Sequence, residues 1–225
     1  TKIVALTGAG ISAESGIQTF RGAGGLWNGY NVEEVATPQA WRRNPELVLD
    51  FYNERRKDAA EVKPNSAHTA LARLEEKFDV QVITQNVDDL HKRGGSTKVL
   101  HLHGLLKEVR SSKNPDLIYD VGGKAVNMGD LCELGTQLRP NVVWFGEAVP
   151  NMDLAIDKVI QASIFIIIGT SLNVFPAASL IDYATKAKRI IIIDPNSSNY
   201  NGIEIINEKA TKAVPQLVNE LLKLE

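Results

Sequence analysis

The sequence lacks the features that mark secreted, membrane-spanning or nucleic-acid-binding proteins. Its one cysteine, Cys132, excludes a disulfide within the chain and is compatible with a reducing compartment. The longest apolar runs reach only five or six residues, which is too short to span a membrane. The formal net charge of −2 provides no basic surface for nucleic acid or an anionic membrane. We recognise no signal peptide before Ile3 and expect a cytoplasmic protein with no membrane or nucleic-acid partner.

What the sequence does contain indicates one α/β domain. The chain has 225 residues, of which 44% are apolar, enough for one sizeable domain with a small inserted module. Strand patterns alternate with helical patterns over short connections. Strands that are apolar on both faces, such as Ser163–Ile168 and Arg189–Ile193, are typical of buried parallel sheets. The sequence therefore predicts a doubly wound, parallel Rossmann-like sheet.

Two insertions are expected to interrupt this sheet. The first has helical patterns, the longest beginning after the cap residue Asn44. The second is short of apolar runs and has turn signals at Asn114-Pro115 and Gly122-Gly123. The predicted boundaries are about 1–22, 66–104 and 141–225 for the core and about 23–65 and 105–140 for the insertions. The pattern also predicts strands at Val80–Thr84, Lys98–Gly104, Asn141–Glu147 and Ile203–Ile206, and helices at Ser66–Lys77, Met152–Ala162, Val174–Lys186 and Thr211–Leu222.

A glycine turn follows the first predicted strand. The apolar run from Ile3 to Leu6 ends at Thr7, and Gly8-Ala9-Gly10 then opens a helix. This is the spacing of a dinucleotide-binding turn, in which Gly10 lets the main chain approach a pyrophosphate and the helix amides face the phosphates. No strand precedes Glu33, however, where a hydride-transfer enzyme would hold the ribose. On this evidence alone, a tight turn without a ligand remains an alternative.

Polar side chains follow two later strands. Asn86 and Asp88 come directly after Val80–Thr84, at the end of a parallel strand where open α/β sheets bind ligands. They could equally be helix caps. His101 and His103 alternate in the next strand and are expected to lie on one face. A metal pair is conceivable, but no further ligands lie close in the sequence, and one general base is the better interpretation.

The whole segment GAGISAESGIQTFRGAGGLW, Gly8 to Trp27, closely resembles the NAD-binding signature of the sirtuins, the NAD-dependent protein-lysine deacylases. Four further motifs follow in the family's order, namely TQNVDDLH, HLHG, VVWFGE and GTS. Five motifs at consistent spacing are far more specific than any one of them. The SAESGI and TFR forms, the short length and the segment FYNERR are most similar to the compact bacterial and mitochondrial branch.

The resemblance implies NAD as the cofactor, acylated protein lysines as the substrate, and a monomer. It implies His103 as the general base, because an imidazole that titrates near neutrality can take a proton from a ribose hydroxyl, with Asn86 and Asp88 as the other catalytic residues. The cofactor-binding residues it implies are Gly8, Ala9, Gly10, Ser12, Ile17, Phe20, Arg21, Trp27, Gln85, Asn86, Val87, Asp88, Gly169, Thr170, Ser171, Asp194, Pro195, Asn196 and Ala210. The substrate-binding residues it implies are Tyr52, Arg55, Val143, Phe145, Gly146, Glu147, Asn173 and Val174.

The acyl group to be removed is indicated by one helical pair. Tyr52 and Arg55 are three residues apart, at one helix face. They could form an ordinary solvated surface, but in the branch that this chain resembles such a pair lies at the floor of the acyl pocket and binds a terminal carboxylate. A guanidinium and a phenol suit that task. We therefore expect succinyl or malonyl groups to be preferred over acetyl.

The chain departs from the family at the metal. Sirtuins usually carry two CxxC pairs on a structural zinc in the inserted module, whereas this chain has only Cys132 and has Ser111 and Ser112 where the first pair is expected. Four thiolate ligands are impossible, so we expect no zinc and no other metal. The catalytic positions lie outside this cluster.

Two other functions stay open on the sequence. An NAD glycohydrolase or ADP-ribosyltransferase would use the same ribose carbon with a different nucleophile. A non-enzymatic NAD sensor would need neither Asn86 and Asp88 nor the base His103.

Overall fold

The computed structural model describes residues 1–18, 26–198 and 201–223, with the backbone alone at Leu26. Its centre is a six-stranded sheet in which every neighbouring pair of strands is parallel. The strands are β1 (Lys2–Thr7), β4 (Asp79–Thr84), β5 (Val99–His101), β9 (Ile164–Ile168), β10 (Arg189–Ile193) and β11 (Glu204–Ile206). Their order is β11-β10-β9-β1-β4-β5, which confirms the predicted doubly wound sheet.

Alternation along β1 explains why helices cover both faces of this sheet. Ile3 and Ala5 point into one apolar cluster, and Val4 and Leu6 point into the other. The first cluster is closed by α5 (Ser66–Arg73) and α8 (Ala210–Lys223), and the second by α7 (Met152–Ile160) and the 3-10 helix Ala177–Tyr183. None of the described helices is long and apolar enough to cross a membrane.

The first insertion is helical, as expected. After a short hairpin of β2 (Leu26–Trp27) and β3 (Tyr30–Asn31) come α2 (Val32–Val35), α3 (Pro38–Arg43) and α4 (Pro45–Glu61). The Asn44 side chain accepts a hydrogen bond from the Leu47 amide and Pro45 is the first helical residue, so the predicted cap of α4 is confirmed. Helix α4 buries Phe51 and Tyr52 against Trp27 and Trp144, which ties the insertion to the rest of the chain.

A separate antiparallel sheet, the small sheet, holds the second insertion. It consists of β6 (Gly104–Ser111), β7 (Ile118–Asp120) and β8 (Leu138–Val142), in the order β7-β6-β8. The predicted strand Asn141–Glu147 of the main sheet is therefore wrong. Pairing of β8 with β6 carries Leu138–Val142 away from the main sheet. The extended backbone then ends in a tight turn, in which Gly146 has φ +88° and the Glu147 amide donates to the Trp144 carbonyl.

Other predicted elements differ in extent. The strand predicted at Lys98–Gly104 ends at His101, because Gly104 already begins β6 with φ +83° and a Cβ there would lie 1.9 Å from the Asn141 carbonyl oxygen. The helix predicted at Val174–Lys186 is shortened to the 3-10 helix Ala177–Tyr183, which starts after Pro176. A 3-10 turn, Leu74–Glu76, ends the helix that begins at Ser66. The remaining helices are α1 (Gly10–Ala13) and α6 (Leu90–Arg93).

Candidate active site

A cavity of about 900 Å³ opens at the carboxyl ends of the central strands. Strand order reverses at β1, since β4 lies on one side of it and β9 on the other. The loops that leave these three strands, beginning at Gly8, Gln85 and Gly169, all line the cavity. Open α/β sheets bind their ligands in this crevice, and the volume lies in the range of ligand pockets.

The glycine turn closes the cavity on the β1 side. The Gly10 amide donates to the Gly169 carbonyl at 2.9 Å, so the first and third loops are in direct backbone contact. A Cβ on Gly8 would lie 2.7 Å from the Gly169 carbonyl oxygen, and one on Gly10 would lie 2.6 Å from the Gly169 Cα. Both glycines are therefore required by the close approach of the two loops, in addition to any ligand.

The loop after β4 is oriented by buried polar contacts. The Asn86 amide nitrogen donates to the Gly8 carbonyl at 3.0 Å and to Ser12 Oγ at 3.3 Å. One Asp88 oxygen accepts from the Leu90 amide at 3.0 Å, which confirms a capping contact, yet both Asn86 and Asp88 also line the cavity. Burial raises the pKa of Asp88, while hydrogen bonds from Leu90 and Ser12 oppose that shift.

Each of the two alternating histidines contacts a backbone carbonyl of the loop after β4. His103 Nδ1 lies 3.0 Å from the Gln85 carbonyl oxygen and His101 Nδ1 lies 3.3 Å from the Asn86 carbonyl oxygen. A carbonyl can only accept, so in the neutral ring Nδ1 carries the proton and Nε2 is free to act as a base.

Only His103 of this pair lines the cavity, although both rings bond carbonyls of the 85–86 loop. Since β5 stops at His101, the strict alternation does not continue to His103. His101 Nε2 is buried without a partner in the part of the chain that the structure describes, and burial lowers the pKa of His101 to about 4. Burial also lowers the pKa of His103, and the Gln85 carbonyl opposes this shift, so its imidazole is neutral at pH 7.

The far side of the cavity is formed by α4 and the turn after β8. Tyr52 and Arg55 line it, and their side chains come from one face of α4. Trp144 Nε1 donates to the Tyr52 hydroxyl oxygen at 3.1 Å, and burial raises the pKa of Tyr52 well above its usual value. Arg55 Nη2 lies 3.1 Å from Glu54 and 3.4 Å from Asp58, both of which are largely exposed.

Most residues that sequence reasoning singled out come together here. All the substrate-binding candidates line the cavity, as do His103, Asn86 and Asp88. Among the described cofactor candidates, Pro195 and Ala210 do not line it. Ala210 is the buried first residue of α8. Phe20 and Arg21 lie outside the described residues.

Sequence reasoning missed several lining residues. Trp144 could have been included, because it lies inside the VVWFGE motif between two candidates. Asp58 lies one helical turn after Arg55 and could also have been found from that spacing. No sequence signal indicated Asn28, Ser197 or Leu172.

A parallel, doubly wound sheet with a polar cavity at its switch point defines a Rossmann-like ligand-binding protein. The family model of the Sir2 family matches residues 8–176. A protein of Helicobacter pylori named NAD-dependent protein deacylase is 54% identical over 225 residues, covering 99% of this chain and 98% of the relative. One of Bacteroides thetaiotaomicron with the same name is 51% identical over 228 residues, covering 98% and 97% of the two chains.

Solved structures agree. A complex of a Sir2 homologue with NAD superposes with a TM-score of 0.88 at 42% identity, covering 99% of this chain and 90% of that chain. A Sir2 complex with a p53 peptide and NAD+ gives a TM-score of 0.79 at 32% identity, covering 97% and 92%. This chain belongs to the Sir2 family, the sirtuins.

Proposed function

We propose that this protein removes acyl groups from protein lysines in an NAD-dependent reaction, giving nicotinamide, the free lysine and an O-acyl-ADP-ribose. The observation that carries the proposal is the set of Asn86, Asp88 and His103 around one cavity, with His103 held as a neutral base by the Gln85 carbonyl. The matched relatives are named for this activity, and the solved complexes contain NAD or a peptide.

The residues present fit NAD. Gly8 and Gly10 keep the first loop free of side chains where it meets Gly169, and a polar wall follows on both sides. Ala9, Gly169, Thr170 and Asn196 would hold the phosphates and the adenosine half, and Gln85, Asn86 and Asp88 the nicotinamide half. When bound, NAD supplies a ribose carbon from which nicotinamide can leave.

The protein's own residues would then position the acyl-lysine and deprotonate a ribose hydroxyl. An amide oxygen is a weak nucleophile, so the lysine must be held close to the reacting carbon. His103 Nε2 would take the proton from a ribose hydroxyl, and its Nδ1–H bond to Gln85 would keep the ring oriented while it does so. Asn86 is held at the cavity wall by the hydrogen bonds that its amide nitrogen donates to the Gly8 carbonyl and to Ser12 Oγ.

The acyl-lysine would enter between two segments of the cavity wall. Residues 143–147 and Asn173-Val174 line it on opposite loops and would contact the main chain of an extended peptide. Phe145 is 47% exposed and Phe175 73%, and both aromatic side chains line the cavity. Such exposed apolar side chains suit a protein ligand better than a free small molecule.

We further propose that the preferred acyl groups end in a carboxylate. Tyr52 and Arg55 both line the cavity, which supports the pocket and speaks against a solvated surface. Trp144 donates to the Tyr52 oxygen, so the Tyr52 O–H remains available to a ligand. The two carboxylates that pair with Arg55, those of Glu54 and Asp58, are exposed, and exposed ion pairs are weak, so a bidentate substrate carboxylate could replace them.

The proposed function is tested by nicotinamide release from NAD with and without acylated peptides. A deacylase should release nicotinamide only when an acyl-lysine peptide is present, and should form one deacylated peptide for each nicotinamide. Release at the same rate without peptide would indicate a glycohydrolase, and NAD binding without turnover would indicate a sensor. A panel of succinyl, malonyl and acetyl peptides of one sequence would give the preference from kcat/KM.

The family's zinc does not fit the residues of the small sheet. Ser111 Oγ accepts from the amides of Lys113 and Asn114 at 3.2 and 3.1 Å, and contacts Thr136 Oγ1 at 2.8 Å. Cys132 Sγ lies 3.0 Å from the same Thr136 oxygen. Among the described residues, no group of three His, Cys, Asp or Glu is arranged to hold a metal. We propose that this hydrogen-bonded cluster of Ser111, Cys132 and Thr136 replaces the metal.

A further inference from the structure

We infer that Arg139 is a positioning residue for the acyl-peptide: it holds the cavity-lining segment 143–147 against the small sheet in the shape that receives the substrate. The inference rests on the proposed function, because it concerns how that function's peptide is bound. Arg139 does not line the cavity and belongs to β8, the strand immediately before the segment.

The Arg139 guanidinium makes five contacts, three of them to the segment and two to carbonyls of β8. It donates to both Glu147 carboxylate oxygens, from Nη1 at 2.7 Å and from Nη2 at 3.1 Å. It also donates to the carbonyls of Val142 at 3.0 Å and Pro140 at 3.3 Å, and its Cζ lies 3.5 Å from the centre of a Trp144 ring. Its side chain is 9% exposed. A planar fork that is bidentate and stacked at once can be supplied by arginine but not by lysine.

Glu147 connects Arg139 to the backbone of the segment. Its Oε2 accepts from the Trp144 amide at 2.8 Å, so one carboxylate binds Arg139 and closes the turn. Burial acts to raise the pKa of Glu147, but the bonds from Arg139 and Trp144 outweigh it, and the pKa is lowered. The second nearby cation, Arg110, comes no closer than 3.7 Å to Glu147 Oε1 and is the weaker partner.

The segment depends on that carboxylate for its shape. The amides of Val143 and Phe145 donate to the carbonyls of His103 at 2.9 Å and Ala36 at 3.0 Å, and the Glu147 amide donates to Trp144 at 3.0 Å. The Trp144 amide is the one in this set whose acceptor is a side chain. Loss of the Arg139–Glu147 pair would therefore free the backbone at Trp144, between the hydrogen-bonded amides of Val143 and Phe145.

Trp144 extends the effect to the acyl pocket. Arg139 stacks on one ring of Trp144, while Trp144 Nε1 donates to the Tyr52 hydroxyl. Arg139 thus supports the tryptophan that orients the Tyr52 oxygen. We expect the loss of Arg139 to weaken peptide binding in general and succinyl peptides somewhat more than acetyl peptides.

The test compares Arg139→Met with Arg110→Met in steady-state kinetics. Arg110→Met removes a neighbouring arginine of the same sheet but none of the short contacts to the segment. For Arg139→Met we expect the KM for succinyl-peptide to rise roughly tenfold or more, with the KM for NAD within about twofold of wild type. Arg139→Lys should recover part of the loss, and Arg110→Met should stay close to wild type.

Backbone hydrogen exchange gives a readout that does not require activity. The Trp144 amide should exchange roughly tenfold or more faster in Arg139→Met, while amides of β6 and β1 keep their protection. If Arg139→Met destabilises the small sheet through an unpaired Glu147, the double variant Arg139→Met/Glu147→Gln removes both charges and should show the same local exchange in a stable chain.

Unchanged peptide KM and unchanged Trp144 exchange in Arg139→Met would overturn the inference. An equal rise in the KM for NAD and for peptide would also overturn it, because that result indicates a general structural role. A wild-type protein that hydrolyses NAD without acyl-peptide would overturn the proposed function instead, and the exchange measurement would still decide whether Arg139 holds the segment.

Discussion

At the scale of single residues, hydrogen bonds decide which of several similar side chains can do chemistry. His101 and His103 flank Leu102, and each bonds a carbonyl of the 85–86 loop. His101 Nε2 is buried, whereas His103 lines the cavity. The base is therefore selected by access to the cavity.

His103→Ala should abolish deacylation and leave NAD binding largely intact, because the base acts on a proton and contributes little to cofactor affinity. NAD affinity by calorimetry and turnover of a succinyl-peptide check this. His101→Gln, which keeps a donor for the Asn86 carbonyl, is the matched control and should retain most activity. A folded His103→Ala protein that no longer binds NAD would contradict the assigned role.

Arg55→Met should lower kcat/KM for a succinyl-peptide by about 30-fold or more and spare or improve that for an acetyl-peptide, since the lost charge pairs only with a carboxylate. The same kcat/KM values are measured for Asp58→Asn. It removes a competing carboxylate 3.4 Å from Arg55 and should favour succinyl further. Equal losses on both peptides for Arg55→Met would show that the pocket assignment is wrong.

At the scale of elements, the small sheet shows how one module can be held without thiolates. Ser111 and Cys132 are buried and share Thr136 as a partner. The end of β6 and the loop before β8 are therefore joined through two hydroxyls and one thiol. These hydrogen bonds lower the pKa of Cys132 to about 7. The apolar cluster of Leu49, Val109 and Val126 adds packing from the other side.

The purified protein should contain no stoichiometric zinc and should keep its unfolding temperature in a strong chelator, because a zinc-dependent module would lose several kcal/mol. Elemental analysis and thermal unfolding with and without chelator measure this. One bound zinc per chain would refute the metal-free module.

Thr136→Val should destabilise the protein by about 1–3 kcal/mol, because it leaves buried Ser111 and Cys132 without their common partner. Denaturant unfolding gives the value. Thr97→Val, also a threonine but exposed and outside the small sheet, is the control and should change stability less. Equal effects of both substitutions would mean that the cluster does not hold the module.

At the scale of the whole molecule, two buried histidines and one partly buried histidine make the fold sensitive to acid. Burial lowers the pKa of His68 to about 4 and of His101 to about 4, and lowers that of His91 well below 6.5. His68 and His91 are in ring contact at 4.9 Å between the main sheet and its helices, and His91 Nε2 lies 2.8 Å from Thr7 Oγ1. Neither site can accept a charge without disruption.

Stability should therefore fall as the pH drops from about 6.5 towards 4. The unfolded chain takes up protons on these rings near pH 6.5 while the folded chain does not, so the unfolded state binds more protons in that window. His68 and His101, whose pKa values are about 4 in the folded chain, each contribute on the order of 3 kcal/mol, present above pH 6.5 and lost towards pH 4. Denaturant unfolding between pH 7 and 4.5 measures how the free energy of unfolding changes with pH. His101→Gln should reduce this slope by the contribution of one histidine. A flat profile over this range would contradict the prediction.

The amino-acid sequence by itself determined the parts of this protein that depend on local chemistry. Apolar runs such as Ile164–Ile168 are typical of buried parallel strands, and Gly8 and Gly10 permit a close approach of two loops at which a Cβ would clash. Motif spacing then indicated the family, the cofactor and His103 as the candidate base, and these residues lie at one cavity.

Tertiary structure alone decided the pairings between distant segments. The run 138–142 has the same alternation whichever sheet it joins, and only its pairing with β6 places it in the small sheet. Strand β5 ends at His101 for the same kind of reason, since β8 approaches the backbone at Gly104, where β6 begins. Arg139 had no signal at all, because its role comes from Glu147 and Trp144 folding back onto it. Side-chain periodicity is set by the residue's own backbone, whereas register and ion pairing are set by what the rest of the chain brings alongside.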